Sequence, residues 1–334
     1  MKIDIVYTWV DGSDPLWLNR RIEKTQLLGN VLNESKSEAR FMDNDELKFS
    51  LRSIFNYAPW VNKIFIVTDN QVPNWLQTSH PKIQIIDHKE IFSDTSILPT
   101  YSARGIETQI HHIRNLSEHF IYFNDDMFLG NICTPDQFFT NKGLNRVFVS
   151  EIFPIPSNKA FDITQRPAEK RNDHQFAIVN TRKLIRQKFN KSIYYNIRHG
   201  AKPLIKSILY DLENLFTEEI TRTSRNSFRT EEDVLMLHLF EYYCLIKGYG
   251  KPKYLKTVSS KRKTNANISL FNNKYTFGYI NLHEKGIEQQ LKNIKANKPF
   301  MLCLNQTPKT PPENIEKIKN FLKDYFPEKS PFEK

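Results

Sequence analysis

Apolar residues in the first third of the chain fall into short, dense runs rather than long stripes. Ile3–Val10 (IDIVYTWV), Lys63–Asp69 (KIFIVTD), Ile83–Asp87 (IQIID) and His119–Asn124 (HFIYFN) are rich in β-branched and aromatic residues. Each run reads as a strand, closed by Asp, Asn, Gly or Pro. Between them the apolar spacing changes to that of a helix. In Asp43–Asn56, the positions Leu47, Leu51 and Ile54 form a stripe that Asp43 or Asn44 can cap. Residues 14–28 and 102–113 also read as helical. Strands separated by helices predict βαβ units and a mainly parallel sheet.

Further along, residues 141–180 hold no sustained period, and helical spacing returns over 181–189, 202–215 and 231–246. The stretch 256–275 is polar and basic and reads as a loop or an exposed edge. Glu313–Tyr325 follows Pro311-Pro312 and carries Ile315, Ile318, Leu322 and Tyr325 on one face. That pattern predicts a helix docked on the body, the alternative being a lysine-bearing helix laid on a membrane or a polymer. The expected organisation is an α/β core over 1–140, a mostly helical segment over 141–250, and a C-terminal segment over 251–334 that completes the core.

Composition narrows this picture. The 334 residues include 24 Phe, 14 Tyr and 4 Trp, enough bulk for a packed interior. Neither a P-loop nor a G-x-G-x-x-G motif occurs, which argues against a P-loop ATPase or a dinucleotide fold. Cys133, Cys244 and Cys303 are far apart and form no CxxC pair, so neither a zinc ribbon nor a disulfide framework is indicated. The apolar runs are well short of the ~20 residues of a membrane span. Met1-Lys2-Ile3-Asp4 leads straight into a strand pattern with no leader signature, so the expected compartment is the cytoplasm, with a peripheral place at the inner membrane face left open. Lys and Arg number 48 against 37 Asp and Glu, a formal charge of +11. Such an excess points to an acidic partner: nucleic acid, anionic lipid, a nucleotide or an acidic polymer. A nucleic-acid-binding protein would rest on that charge alone, with no recognisable binding motif beside it.

Ligands of open parallel sheets bind beyond the carboxyl ends of the strands. Two strand ends here carry acids, Trp9-Val10-Asp11-Gly12 and Phe123-Asn124-Asp125-Asp126. If the extended backbone continues, Asn124 and Asp126 share a face and Asp125 points away. A carboxylate so placed suits Mg²⁺ or Mn²⁺ held with a phosphate, the alternative being an Asn-Asp-Asp turn without a ligand. Glu107 and His111, four apart on an expected helix, either face a ligand together or form a satisfied core pair.

Ile3-Asp4-Ile5-Val6-Tyr7-Thr8-Trp9-Val10-Asp11-Gly12 resembles the first signature of the Stealth proteins, the sugar-1-phosphate transferases of bacterial capsule synthesis and relatives of the lysosomal-enzyme GlcNAc-1-phosphotransferase. A longer second signature is similar over Arg40-Phe41, Asp45-Glu46-Leu47-Lys48-Phe49-Ser50-Leu51-Arg52-Ser53, Ile66-Val67-Thr68-Asp69-Asn70-Gln71, His88, Ile106-Glu107, His111 and Phe120-Ile121-Tyr122-Phe123-Asn124-Asp125-Asp126. A third resembles the stretch from Arg198-His199 through Thr223-Ser224 to Phe228-Arg229 and Asp233. A short fourth is similar at Leu302-Cys303-Leu304-Asn305, but the family has Asn-Asp where this chain has Asn305-Gln306.

The resemblance implies a Rossmann-like, glycosyltransferase-type core with a helical insertion. It implies transfer of a sugar 1-phosphate from a nucleotide sugar, UDP-linked in the favoured reading, to a hydroxyl of a polyanionic glycan, with release of a nucleoside monophosphate. The residues it singles out are His199, Asp126 and Arg229 for catalysis, Asn124 and Asp126 for Mg²⁺ or Mn²⁺, and Asp11, Asp45, Arg40, Arg52 and Asn305 for the donor. Nucleic acid is not an expected partner; capsule-assembly machinery and a membrane surface are. The nearest rival is a metal-dependent glycosyltransferase on a similar core that releases UDP. Lys261, Arg262, Lys263 and the lysines of the last helix are the expected track for an acidic product.

Overall fold

The four apolar runs at the front of the chain become neighbouring strands. In the computed structural model, which describes residues 1–32, 41–150, 154–168, 171–258 and 274–334, they form β1 (Ile3–Thr8), β2 (Ile64–Thr68), β3 (Ile83–Asp87) and β4 (His119–Asn124). The sheet has the order β3-β2-β1-β4-β7, with β7 spanning Lys202–Ile205. β1 to β4 pair in parallel, and β7 runs antiparallel to β4. β2 is buried along its whole length, as expected of a parallel strand covered on both faces. Asp4, inside β1, is fully buried and accepts hydrogen bonds from Asn62 Nδ2 at 2.7 Å, Lys63 N at 3.0 Å and Ser117 N at 2.7 Å. It thereby fixes the entry loops of β2 and β4 at the end of the sheet away from the cleft.

The strand β7 differs from the sequence expectation of a helix over 202–215. Lys202-Pro203-Leu204-Ile205 is extended, and the helix spans Lys206–Leu215. Pro203 explains the division: it lacks an N–H, and a strand at the end of the sheet is one place a sheet accepts it. The segment 141–180 likewise holds more than irregular chain. It supplies β6 (Asn145–Val149), which pairs with β8 (Gly250–Tyr254), and the start of the helix Asp173–Phe189. The helix expected over 231–246 begins at Met236 rather than 231. The buried Asp233 carboxylate accepts from Thr230 N, Thr230 Oγ1, Asn226 Nδ2 and Arg104, which holds the preceding residues in a turn.

A second sheet has the order β5-β11-β10-β9, built from Met127–Leu129, Met301–Asn305, Thr276–Asn281 and Lys256–Thr257. Two residues separate its β5 from β4, and Leu304 N donates to Asp126 O at 3.1 Å across the junction. One buried apolar cluster runs from Ile3 through Tyr242 to Phe332, so the three sequence segments share a core. The helix Pro312–Tyr325 buries Ile318, Phe321 and Leu322 in a second cluster with Ile280, Leu291 and Leu304, the docked arrangement. Among the described residues, no helix is long and apolar enough to cross a membrane.

Candidate active site

β1 and β4 end side by side, with Thr8 paired to Asn124. Beyond these ends lies a cleft of two adjoining compartments. The first is lined by Trp9, Trp17, His88, Tyr101, Asn124 and Asp125, and the second by Glu107, Asn124, His174, His199, Lys202 and Arg229. Ala103, Asn124 and Arg229 line both and mark the boundary. The first compartment is aromatic. Trp17 meets Tyr101 edge-on at 5.1 Å and Phe41 at 5.0 Å between ring centroids. The second is polar and cationic.

The extended geometry assumed for Asn124 and Asp126 stops at Asn124. Asp125 and Asp126 form a tight turn into β5, so side-chain alternation no longer holds. Asp125 therefore lines the first compartment beside Asn124 instead of pointing away. Asp126 turns toward β11, where Cys303 Sγ donates to its Oδ2 at 3.4 Å. Its Oδ1 is buried and has no hydrogen-bond partner.

These acids belong to a larger nest. Burial pushes the Asp125 carboxyl well above the usual range, and Asp126, Glu46 and Asp43 add to the effect. Burial likewise pushes Asp126 up to about 6. Glu46 rises to about 7 through burial, although the Asn44 backbone and side-chain amides both donate to its carboxylate. Asp43 is raised by burial and by Asp45 and Asp11, although it accepts from Asp45 N and from Trp9 Nε1 at 3.2 Å. Carboxylates this close oppose one another's ionisation. The donor set is hard oxygen from carboxylates and the Asn124 amide, with one buried oxygen unpartnered. It fits a divalent cation such as Mg²⁺ or Mn²⁺.

His199 closes the other side. One imidazole nitrogen, an Asp126 oxygen and Cys303 Sγ all lie within 4.8 Å of one another. The residue is exposed and lines the second compartment, against the protein that forms it. Those surroundings, with the Lys202 and Arg229 cations, push its pKa down to about 4. The imidazole is thus neutral at pH 7 and able to accept a proton. Lys202 is itself anchored, donating to Arg198 O at 2.7 Å and to Glu241 Oε2 at 3.1 Å. Half-buried Glu107 accepts from Tyr122 OH at 3.3 Å and lies in the field of Arg229 and Arg104.

Of the residues singled out from the sequence, the structure places Asn124, His199 and Arg229 on the second compartment and Asp126 beside His199. Asp233, the partner considered for Arg229, is held by Arg104 at 3.0 Å. Asn305 reaches the same strand end and donates to Asn281 Oδ1 at 3.0 Å, while Gln306 accepts from Asn44 Nδ2 at 2.8 Å beside the acid nest. Asp11 stands at the rim, its carboxylate accepting from Ser13 N at 2.9 Å and Oγ at 2.6 Å. Asp45 takes a left-handed conformation before the helix Glu46–Tyr57 and pairs with Lys48 at 2.9 Å. That helix lacks the side-chain cap expected from Asp43 or Asn44. Arg52 is not brought to the cleft. Its guanidinium pairs with Glu333 at 2.7 Å and donates to Phe326 O at 2.8 Å, a wholly structural use. Arg40 and the basic triplet Lys261, Arg262 and Lys263 lie outside the described residues. Glu107 and His111 part company: Glu107 enters the cleft, whereas His111 turns to Glu213.

Sequence reasoning missed His174, Lys202 and His238, all on the second compartment. The histidines sit on separate helices far apart in sequence, so no local spacing marks them. Lys202 carried a signal, a lysine inside the apolar run KPLI, which became legible once that run proved to be a strand.

Comparison with known proteins adds to this geometry. Models of the Stealth proteins match in three places: conserved region 1 at residues 1–23, conserved region 2 at 40–147 and conserved region 3 at 198–245. An exopolysaccharide phosphotransferase of Streptomyces coelicolor is 35% identical over 99% of this chain and 52% of its own length. The exopolysaccharide phosphotransferase CpsY of Mycobacterium tuberculosis is 35% identical over 99% of this chain and 58% of its own. The chain spans about half the length of the curated relatives it matches. Among solved structures, the galactosyltransferase LgtC with donor and acceptor sugar analogues is similar over 97% of this chain and 95% of that one, at 9% identity and a TM-score of 0.42.

Proposed function

The chain belongs to the Stealth family, and from its cleft we propose that it transfers a sugar 1-phosphate from a nucleotide sugar to a glycan hydroxyl. The observation that carries this reading is the meeting of His199, Asp126 and Arg229 beside Asn124 at the ends of β1 and β4. These residues lie far apart in sequence, and each suits one requirement of phosphoryl transfer.

The aromatic first compartment suits a nucleoside, and the boundary at Asn124 and Arg229 suits its diphosphate. Arg229 offers a guanidinium for bidentate contact with phosphate oxygens. The second compartment then takes the sugar and the attacking hydroxyl. His199 removes the hydroxyl proton as the new O–P bond forms and the bond to the leaving nucleoside monophosphate breaks. An incoming diphosphate offsets the Arg229 cation, which returns basicity to His199. Asp126, within reach of the same ring, stabilises the imidazolium as it forms. A divalent cation held by Asn124, Asp125 and Asp126 would supply charge neutralisation at the diphosphate.

The test is the leaving group. With UDP-GlcNAc or another UDP-sugar and a glycan acceptor, the products are UMP and a glycan carrying phosphodiester phosphorus. Release of UDP with no phosphorus in the glycan means ordinary glycosyl transfer and overturns the proposal.

A further inference from the structure

Outside the cleft, two histidines and a glutamate converge on one point. Residues Ile110–His112 form a single 3-10 turn, and Glu213 lies on the helix Lys206–Leu215 packed against it. Glu213 Oε2 stands 3.0 Å from His111 Nε2 and 3.0 Å from His112 Nε2. Consecutive side chains seldom aim at one atom; here the rings lie 4.2 Å apart between centroids and are tilted by 55°, which brings both nitrogens to the same carboxylate oxygen.

Hydrogen-bond chemistry makes the His112 contact informative. Its Nδ1 lies 3.0 Å from Ile91 O, a carbonyl that can only accept, so Nδ1 carries the hydrogen. In a neutral ring Nε2 then holds a lone pair and faces a carboxylate oxygen. Two acceptors at that distance need a positive centre between them, either a proton on Nε2 or a metal ion. A backbone carbonyl taking the distal N–H is also the usual means of aiming a metal-ligating imidazole. All three ligand atoms lie within 4.8 Å of one another, and the two 3.0 Å nitrogen–oxygen separations are ones that bonds of about 2.0–2.2 Å to a common ion can span.

The surroundings hold this arrangement while leaving it open. Tyr210 stacks on His112 at 5.5 Å, and its hydroxyl donates to His111 O at 3.3 Å. The Lys206 ammonium, the nearby like charge, donates to Ile113 O at 3.3 Å. His111 is fully enclosed, whereas the His112 and Glu213 side chains are 21% and 29% exposed, which gives an ion a route in and a face for water.

We propose that His111, His112 and Glu213 bind one transition-metal ion of the zinc class. Two imidazoles and a carboxylate favour Zn²⁺, Co²⁺ or Ni²⁺ over Mg²⁺, so this site and the oxygen-rich cleft select different ions. The ion fastens the helix Lys206–Leu215 to the turn at 110–112. One end of this clip is four residues from Glu107 and the other follows β7, which carries Lys202. Both of those residues line the second compartment. The site is therefore a positioning element for the cleft and stands apart from the reacting atoms.

The test titrates Co²⁺ into the chelator-stripped protein, read by absorption and by metal analysis after dialysis. One ion per chain is expected, with visible d–d bands and no thiolate charge-transfer band. Cys303→Ser keeps this binding, which separates it from the Asp126–His199–Cys303 group in the cleft. Glu213→Gln and His112→Asn each weaken it by about 10-fold or more. Zn²⁺ should raise the melting temperature of the wild type but not of Glu213→Gln. No bound ion in the wild type overturns the proposal, as does binding that survives both substitutions or disappears with Cys303→Ser. If His112→Asn fails to fold by circular dichroism, Glu213→Gln and the wild-type spectrum decide. None of these readouts uses turnover, so they stand whatever reaction the cleft performs.

Discussion

His199 shows how environment bears on the task proposed for a residue. The cations and protein around it hold the imidazole neutral, the form a base requires. Replacing it with Ala should lower turnover by about 10²–10⁴-fold with the fold intact by circular dichroism; near-normal turnover would remove it from the role. Glu46 makes a different prediction at the same scale. Burial raises its folded pKa to about 7 from an ordinary 4.5. Between those values the folded state binds more protons than the unfolded one, so stability falls as pH rises through that window. In metal-free protein the denaturation midpoint should drop between about pH 4.5 and 7, and Glu46→Gln should flatten that slope. An unchanged slope would place the titrating group elsewhere. Little of this was readable from sequence. Asp126 and His199 can be named from their motifs, but nothing local to Glu46 reveals that Asp43 and Asp125 will be folded near it.

Elements carry these residues, and the legible ones were those that form on local pattern alone. β3 and β4 fall where their apolar runs predicted. β7 did not, because a strand at a sheet end that begins Lys-Pro is defined by the neighbour it pairs with. Two element contacts can be tested. Gly12 donates its N–H to Phe41 O at 2.7 Å, and a Cβ there would stand 2.4 Å from that oxygen. Gly12→Ala should therefore push away the loop that carries Asp43 and lower turnover more than stability, as comparison of kcat with the urea midpoint will show. Arg52 does the reverse. It ties the helix Glu46–Tyr57 to Phe326 and Glu333 through a largely buried ion pair, 10% and 4% exposed. Arg52→Ala should cost about 3–5 kcal/mol in urea unfolding and leave turnover per folded molecule unchanged. A selective loss of donor affinity would restore Arg52 to the donor site.

Across the whole molecule, the +11 charge takes on a more particular meaning. In the reaction proposed above, a glycan linked by phosphodiesters gains a negative charge with each unit, so a basic surface would suit that product as well as the donor. The docked last helix turns its apolar face inward and leaves Lys323 exposed, with Lys319 half-buried beside it. Neutralising these together with Lys261, Arg262 and Lys263 should slow long acceptors more than short ones, measured as kcat/KM against acceptor length. Equal losses would argue against a product track.

The pairing of Asp126 with β11 also bears on how the protein comes into being. The acid that faces His199 is flanked by Cys303 and anchored by Leu304, about half the chain further on. Closing a contact over that separation is a slow, non-local step. During synthesis the first sheet can gather its parallel strands β1 to β4 early, but the cleft stays unfinished until residues near 305 have emerged and docked. Asp126 and His199 accordingly reach their final arrangement only after the strand Met301–Asn305 has been made and has paired.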